Sequence, residues 1–383
     1  MICEKDKCTG CFACYNICPK NAIEMKEDIY GNIYPEINES KCINCNLCKK
    51  VCPNLSNINF KFPVRCYAAK TKDKNVYLST ASGGIATTIS KEFIEKKGII
   101  YGAAVVGKNV EHIKVDKIED LYKLKGSKYV HSHINKAYKK IKEDLLNKCR
   151  VLFIGTPCQV SGLKKFLMCK YDNLYTIDLI CHGVPSQKMF EEEIRRMGFS
   201  YNDTIEEINF RYLNQRNLKI KSQNKEIIQN CVDNFYYNAF LNSIIIRENC
   251  YSCKYAQNNR VGDITLGDFW GLKDKLEFIH DKGINCVLIN TEKGNQMFEN
   301  IKKYIDYEEQ DVNIALNGND QLNHPSLKPE CRDYFIKYYP LKGYNITLKK
   351  ILRKKIFIEK IKIKLKNTNF FNFYKKIKGE KYE

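Results

Sequence analysis

The sequence predicts an α/β protein, α+β overall, in which a small cysteine-rich module precedes a larger mixed α/β domain. Three observations carry that prediction. The run Cys8, Cys11, Cys14, Cys18-Pro19 recurs as Cys42, Cys45, Cys48, Cys52-Pro53. Val151 to Ile154 and Tyr175 to Ile180 read as short buried strands separated by a helical stretch, a strand–helix–strand unit. Between the cysteine runs and that unit, strand-like and helix-like periodicities alternate. With 383 residues, the chain is long enough for two or three domains.

Residues 1–58 form the first unit, with an internal repeat of 34 residues from Cys8 to Cys42. Each copy reads C-x2-C-x2-C-x3-C-P, the ligand pattern of a two-cluster ferredoxin. Three close cysteines wrap one cubane, and each run lends its last cysteine to the other cluster. Cys8, Cys11, Cys14 and Cys52 are therefore expected to hold one [4Fe-4S] cluster, and Cys42, Cys45, Cys48 and Cys18 the other. Zinc more often takes paired C-x2-C units, and disulfide frameworks belong to small secreted chains. The module is expected to be bacterial-ferredoxin-like, ending in a polar linker near Pro63.

The region 64–148 opens on a strand, Arg65 to Ala69. Ser82-Gly83-Gly84 then starts a helix running to about Lys96, with Ile85, Ile89, Phe93 and Ile94 at helical spacing and Ser82 as the expected N-cap. A glycine-rich helix start also presents free N–H groups to a phosphate. A strand from Gly98 to Val106, the segment Gly126-Ser127-Lys128-Tyr129 and a helix ending near Lys148 complete this region. Lys128 reads either as a phosphate partner or as a solvated lysine, and Tyr129 as a stacking or a core ring. No G-x-G-x-x-G supports a Rossmann site.

The region 149–335 carries the strand–helix–strand unit, whose two strands should be parallel. Cys158, in Gly155-Thr156-Pro157-Cys158-Gln159, and Cys181, in Cys181-His182-Gly183-Val184-Pro185, each follow the carboxyl end of a strand. Parallel strands bring such ends to one sheet edge, where ligands bind in open α/β sheets. Cys250 and Cys253 supply a C-x2-C downstream. Together the four are expected to ligate a third [4Fe-4S] cluster; a zinc site, a redox pair or unrelated buried cysteines remain open. Gln159 reads either as a contact to a cofactor edge or as the third residue of a helix start. His182 is a candidate ligand or proton donor, or a histidine bonded to its surroundings. Arg260 is a candidate counter-charge, and Asp268 a candidate proton shuttle or capping group. Cys3, Cys66, Cys149, Cys169, Cys231, Cys286 and Cys331 read as buried hydrophobes or incidental thiols.

The cysteine repeat, Ser82-Gly83-Gly84, Gly126 to Tyr129, Gly155 to Gln159, Cys181 to Ser186, Cys250 to Ala256 and Gly262 to Gly271 occur in that order. The set resembles the coenzyme F420 hydrogenase/dehydrogenase beta-subunit family over about residues 1–300. The resemblance implies a core domain that binds FAD, with Ser82, Gly83, Gly84, Gly126, Ser127, Lys128, Tyr129, Gly155, Thr156 and Gln159 as flavin contacts. It also implies an iron–sulfur cluster beside the flavin on Cys158, Cys181, Cys250 and Cys253, and an appended ferredoxin module that feeds or drains it. Archetypal members exchange a hydride between flavin and F420. The expected function is an iron–sulfur flavoprotein oxidoreductase acting on a small-molecule substrate with a ferredoxin-like electron carrier; no catalytic residue is assigned. The alternative is an electron-transfer subunit of a larger redox complex, without a substrate of its own.

Of the formal net charge of +20, +11 falls in residues 341–383, which carry 14 Lys/Arg against three Glu. The other 340 residues carry +9, and each [4Fe-4S]2+ with four thiolates subtracts about 2. A nucleic-acid partner is therefore not expected. The basic segment 336–383 mixes helical periodicity with a strand-like alternation at Ile361 to Lys366. It reads as a contact to an anionic membrane surface, a dock for an acidic carrier, or a solvated tail. The opening Met1 to Asp6 has no apolar signal segment, so thiolates and iron are expected in the cytoplasm.

Overall fold

The computed structural model describes residues 2–212, 216–272, 276–278 and 282–366. In the N-terminal module, helices α1 (Ala13–Ile17) and α2 (Leu47–Lys50) flank a hairpin of β1 (Ile23–Glu27) and β2 (Ile33–Ile37). The hairpin is antiparallel, with Ile23 opposite Ile37. Its turn is pinned by the Asp28 carboxylate, which accepts from the Tyr30 and Asn32 backbone N–H groups at 2.9 and 2.8 Å. Gly31 sits at φ 77°, and a Cβ there would fall 2.3 Å from Lys188 Cβ, so this turn admits only glycine where the module meets the main domain.

The main domain is built on one eight-stranded sheet. Its first five strands are β3 (Arg65–Thr71), β4 (Ile99–Val106), β5 (Asn109–Val115), β6 (Val151–Ile154) and β7 (Leu174–Leu179). A separate antiparallel sheet follows, β8 (Ile205–Asn209), β9 (Asn217–Ser222) and β10 (Glu226–Asn230), before β11 (Ile264–Asp268), β12 (Asn285–Ile289) and β13 (Ile305–Gln310) complete the large one. Its order is β13-β3-β12-β11-β7-β6-β4-β5. As the strand–helix–strand reading requires, β6 and β7 are parallel, and so are the pairs β4/β6 and β7/β11. The regions 64–148 and 149–335 thus share one sheet, because β3 lies between β12 and β13.

Side chains alternate between the two faces, as strand geometry demands. Tyr67, Leu152 and Val287 pack under α4 (Ile85–Glu95) and α9 (Glu292–Ile301). On the opposite face Val151 and Phe153 pack with α5 (Ala137–Leu146) and α6 (Pro157–Leu167). The same cluster takes in Cys11, Phe12 and Ala13, so the first cysteine loop belongs to the core of the main domain. Asn16 donates to the Asn135 carbonyl at 2.8 Å, and Tyr30 Oη to the Ile336 carbonyl at 2.8 Å.

Two expectations need correction. The N-cap of α4 is Gly84, in a left-handed conformation (φ 79°), because Ser82 instead turns its hydroxyl to the Ile284 carbonyl at 3.0 Å. The helix after β6 is no departure: it begins at Pro157, a favoured first helical residue, so Gln159 is the third residue of a helix start and Cys158 lies in the first turn. The segment Ile361 to Lys366 is helical, continuing a helix that starts at Cys331 and is broken at Gly343 (φ 73°, ψ 175°). The first part of the basic segment is no solvated tail: Tyr344, Leu348 and Leu352 are buried in a cluster with Phe190 and Tyr236. Beyond them Phe357, Ile361 and Ile363 are exposed; residues 367–383 lie outside the described residues. No helix among the described residues is long and apolar enough to cross a membrane.

Candidate metal centres

The sequence repeat of the N-terminal module is also a backbone repeat. Gly10 and Phe12 (φ 62° and 63°) match Asn44 and Asn46 (φ 53° and 56°), each pair flanking the second cysteine of its run. The fourth cysteines match too: Cys18 at φ −65°, ψ 114° and Cys52 at φ −72°, ψ 118°. Left-handed residues on both sides of a cysteine curl the loop and turn its N–H groups toward the concave side, which suits an anionic centre.

Cys8, Cys11, Cys14 and Cys52 line one cavity of about 340 Å³. The crossed assignment, with the last cysteine of the second run joining the first three, thus has a geometric counterpart. Cys3 lies in the same wall, close to Cys8 and Cys52 rather than in a remote core. Burial pushes the Cys11 thiol up to about 12 and Cys14 well above its ordinary value. The Cys3 thiol, bonded to Cys8 and Cys52, instead lowers Cys8 to about 6 and Cys52 to about 7. The other set is more open: Cys45 is exposed, and Cys18, Cys42 and Cys48 are half-buried. Burial raises the Cys48 thiol, and its neighbours Cys45 and Cys18 raise it further.

A second cavity, of about 520 Å³ and partly open to solvent, lies at the carboxyl edge of the large sheet and is walled by Cys158, Cys181, Cys250 and Cys253. Each cysteine is delivered by a different constraint. Pro157 and the Thr156–Gln159 capping box fix the first turn of α6; there the Gln159 side-chain oxygen accepts from Thr156 N–H at 3.1 Å. Cys181 follows β7. Cys250 sits in a short 3-10 turn, Glu248–Ser252, and Cys253 caps it. The stretch after Cys253 is held to β7 by a fully buried ion pair: Arg260 Nη2 lies 3.1 Å from Asp178 Oδ1. The second oxygen of Asp178 accepts from the Val261 and Gly262 N–H groups at 3.1 and 2.7 Å. Burial pushes Cys158 up to about 12, Cys250 up to about 11, and Cys181 well above its ordinary value.

Among the described residues, no three His, Cys, Asp or Glu side chains converge as the ligands of a single ion would.

The two cavities are neighbours. Thr9 lines both, and a Cβ on Gly162 of α6 would fall 3.1 Å from Cys11 Sγ. Burial holds the Tyr255 phenol, at the wall of the larger cavity, well above its ordinary value, and Cys158 and Cys11 raise it further.

Family models match three successive parts of the chain. The family model "Coenzyme F420 hydrogenase/dehydrogenase, beta subunit N-term" matches residues 66–139, and the model of its C terminus matches residues 148–314. A 4Fe-4S dicluster domain matches residues 7–55.

The chain belongs to the coenzyme F420 hydrogenase/dehydrogenase beta-subunit family.

It is an iron–sulfur redox protein of that family, with a 4Fe-4S dicluster domain at its N-terminus. The coenzyme F420-dependent sulfite reductase of Methanocaldococcus jannaschii is 26% identical over 343 residues, 85% of this chain. The chain spans 50% of that relative's length. A chain in the structure of the F420-reducing [NiFe] hydrogenase complex from Methanosarcina barkeri aligns at 17% identity with a TM-score of 0.45, over 66% of this chain and 85% of that one.

The residues expected to touch flavin are distributed unevenly. Ser82, Gly83 and Gly84 lie between the end of β3 and α4, and the Thr71 N–H donates to the Gly83 carbonyl at 2.7 Å. Gly155 and Thr156 follow β6 at the same edge of the sheet. Gly126 is exposed, with open space around it. Lys128 Nζ donates to the Lys123 and Lys125 carbonyls at 3.3 and 2.8 Å, and burial lowers its pKa to about 7. Tyr129 is committed to packing, stacked 4.8 Å from Phe240 and edge-on to Phe210. Gln159 is committed at both ends, its amide nitrogen donating to the Ser132 carbonyl at 2.9 Å.

The other candidates resolve as follows. His182 lines the larger cavity, but its ring nitrogens face the Phe240 carbonyl, Ser243 and Ser326. Asp268 pairs with Arg211 at 2.7 Å, and Arg211 also donates to the Ala81 carbonyl at 2.7 Å. Arg260 is the partner of Asp178. Sequence reasoning assigned no role to Thr9, Tyr255, Arg211 or Arg247. Tyr255 entered it only as part of the Cys250 to Ala256 motif, and Arg247 left only the signal of its place three residues before Cys250.

Proposed function

We propose that this chain is an iron–sulfur flavin-dependent oxidoreductase. It would pass electrons between a one-electron carrier such as ferredoxin, three [4Fe-4S] clusters and FAD, and exchange a hydride with an organic substrate, coenzyme F420 being one candidate. The observation that carries the reading is the pair of adjoining thiol-walled cavities, one in the dicluster module and one at the carboxyl edge of the large sheet. When bound, the clusters supply one-electron steps and the flavin couples them to two-electron chemistry.

The chain's own residues would do the rest. Cys8, Cys11, Cys14 and Cys52 would hold the first cluster, Cys18, Cys42, Cys45 and Cys48 the second, and Cys158, Cys181, Cys250 and Cys253 the third. Ser82, Gly83, Gly84, Gly126, Ser127, Lys128, Gly155 and Thr156 would bind FAD through backbone N–H groups and the half-buried Lys128, with Tyr129 and Gln159, themselves committed to packing and hydrogen bonds, bracing the site. The exposed setting of Cys45 suits exchange with an external carrier. The half-exposed basic helix that ends the described chain would serve as a peripheral contact to an anionic membrane surface.

Anaerobic purification with iron, zinc and flavin assays tests the reading. The expected result is about 12 Fe and one FAD per chain. About eight Fe with one Zn would overturn the third cluster, and absence of flavin would overturn the flavoenzyme. A second reading, an electron-transfer subunit serving a separate catalytic chain, is favoured by membership in a beta-subunit family. Activity that appears only on adding a partner would select it.

A further inference from the structure

Arg247 is 1% exposed. A guanidinium stays charged in any protein environment, and burying a charge without an opposite charge is costly. Among the described residues, no carboxylate pairs with it. Its Nη2 donates to the carbonyls of Cys8 and Ile33 at 2.9 and 3.1 Å, and its Nε to the Asn249 side-chain oxygen at 3.2 Å. The guanidinium carbon sits 4.9 Å from the centre of the Tyr34 ring, a further soft contact. Its Nη1 is buried with no acceptor. Three neutral acceptors and a ring face reduce the cost of burial without supplying a negative charge.

The location says where that charge comes from. On one side Arg247 grips the carbonyl of Cys8, in the wall of the first cavity; a Cβ on Gly10 would lie 3.4 Å from its guanidinium carbon. On the other side its own carbonyl accepts from the Cys250 N–H at 3.0 Å, and its partner Asn249 lines the second cavity. It thus bridges the loops of two different thiol sets. Among the described residues, its side chain makes no hydrogen bond to Cys18, Cys42, Cys45 or Cys48 of the open set.

We propose that Arg247 is the shared counter-charge of the first and third thiol sets and raises the reduction potentials of the clusters they hold above that of the Cys18–Cys42–Cys45–Cys48 cluster. This rests on the reading that both cavities hold clusters. A [4Fe-4S] centre with four thiolates carries about −2 when oxidised and gains one more negative charge on reduction. A fixed buried cation therefore stabilises the reduced form more than the oxidised form. Serving two sites at once, it draws electrons inward from the exposed cluster to the pair at the sheet edge. It also couples the pair, since reducing one centre uses part of the field that favours the other.

The test uses the full-length protein, purified anaerobically and compared with Arg247→Gln and Arg247→Lys, with iron content and EPR-monitored redox titration as readouts. Wild-type protein with about eight Fe would mean that the third-cluster reading itself fails, whatever the variants do. With wild type at about 12 Fe, R247Q is expected to shift the redox equilibria of the first and third clusters toward oxidised by at least about tenfold, or about 59 mV for a one-electron couple, and to leave the second unchanged. R247K is expected to restore most of the shift. Unchanged potentials in R247Q, or equal shifts in all three clusters, would overturn the proposal. Should R247Q lose iron, R247K decides: near-wild-type iron and potentials support the counter-charge, and a loss like that of R247Q shows a purely structural arginine.

Discussion

Replacing Asp178 with alanine should be among the most damaging single changes outside the cysteines. Asp178 and Arg260 are both essentially without solvent contact. One carboxylate oxygen accepts from Arg260 Nη2 at 3.1 Å and Thr265 Oγ1 at 2.6 Å, the other from two backbone N–H groups. Removing the carboxylate leaves a buried guanidinium without its counter-charge and two N–H groups without acceptors. Breaking a buried pair from one side typically costs about 3–5 kcal/mol, and the lost N–H acceptors place this case toward the upper end. The damage should also be local, because the pair ties β7, which leads to Cys181, to the stretch that follows Cys253. The assay is urea unfolding of the anaerobic full-length protein, followed by circular dichroism and by the visible iron–sulfur absorbance. The absorbance of the cluster proposed at the sheet edge should be lost at lower urea than the bulk fold. A destabilisation below about 1 kcal/mol would refute the reasoning, since it would mean that water or a neighbour replaces the carboxylate without penalty.

Other outcomes follow from the same structure. Cys250→Ala should lower iron from about 12 to about eight per chain while leaving the N-terminal pair intact; loss of all iron would show that the two halves load as one unit. Phe12→Ala should cost about 3–5 kcal/mol, as for a large buried ring, since Phe12 is 3% exposed and packs with Tyr15 and His133; thermal unfolding measures it. His112 is buried and neutral, with one ring nitrogen at the Ser132 hydroxyl (2.5 Å) and the other at the Ile154 carbonyl (3.0 Å), and burial lowers its pKa to about 4. The unfolded chain takes up a proton near pH 6.5 and the folded chain only near 4, so stability should fall as pH drops through that window, by on the order of 3 kcal/mol. His112→Gln should flatten this slope in urea titrations between pH 7 and 4. Vesicles rich in anionic lipid should sediment the protein, and Phe357→Ser with Ile361→Ser should abolish that binding; equal binding to neutral vesicles would argue against a basic membrane contact.

What the sequence revealed divides along a physical line. The ligand spacing of the cysteine runs and the β6–α6–β7 unit are local, so residue types at fixed offsets were enough to read them. That locality extends to the meeting of Cys158 and Cys181 at one sheet edge. The placement of β3 between β12 and β13 depends on partners more than 200 residues away, and no periodicity carries that information. Ser82 failed as a cap because its hydroxyl found a long-range acceptor, and Gly84 tolerates the left-handed turn that the helix start requires. Ile361 to Lys366 alternates like a strand yet continues a helix already anchored through Tyr344, Leu348 and Leu352. Arg247 escaped notice for a related reason: an arginine on the chain looks solvated until the fold shows it buried without a carboxylate. Cys3, five residues ahead of the first motif, looked incidental until the same loop closed over it.

The position of β3 also bears on how the protein is made. Both neighbours of this strand, residues 285–289 and 305–310, leave the ribosome more than 200 residues after it does. Throughout that interval the strand, with its apolar Cys66, Tyr67, Ala68 and Ala69, has neither edge satisfied. An unpaired strand of this kind is a template for mispairing with other chains, and domains otherwise form in order of synthesis. The cysteine-rich module can pair β1 with β2 early, but its first cysteine loop is completed only with the main domain, since Phe12 and Ala13 share a core with Tyr138, Phe153 and Val160. Slower translation should therefore lower the soluble yield of the full chain, because it lengthens the interval in which β3 waits for its two partners.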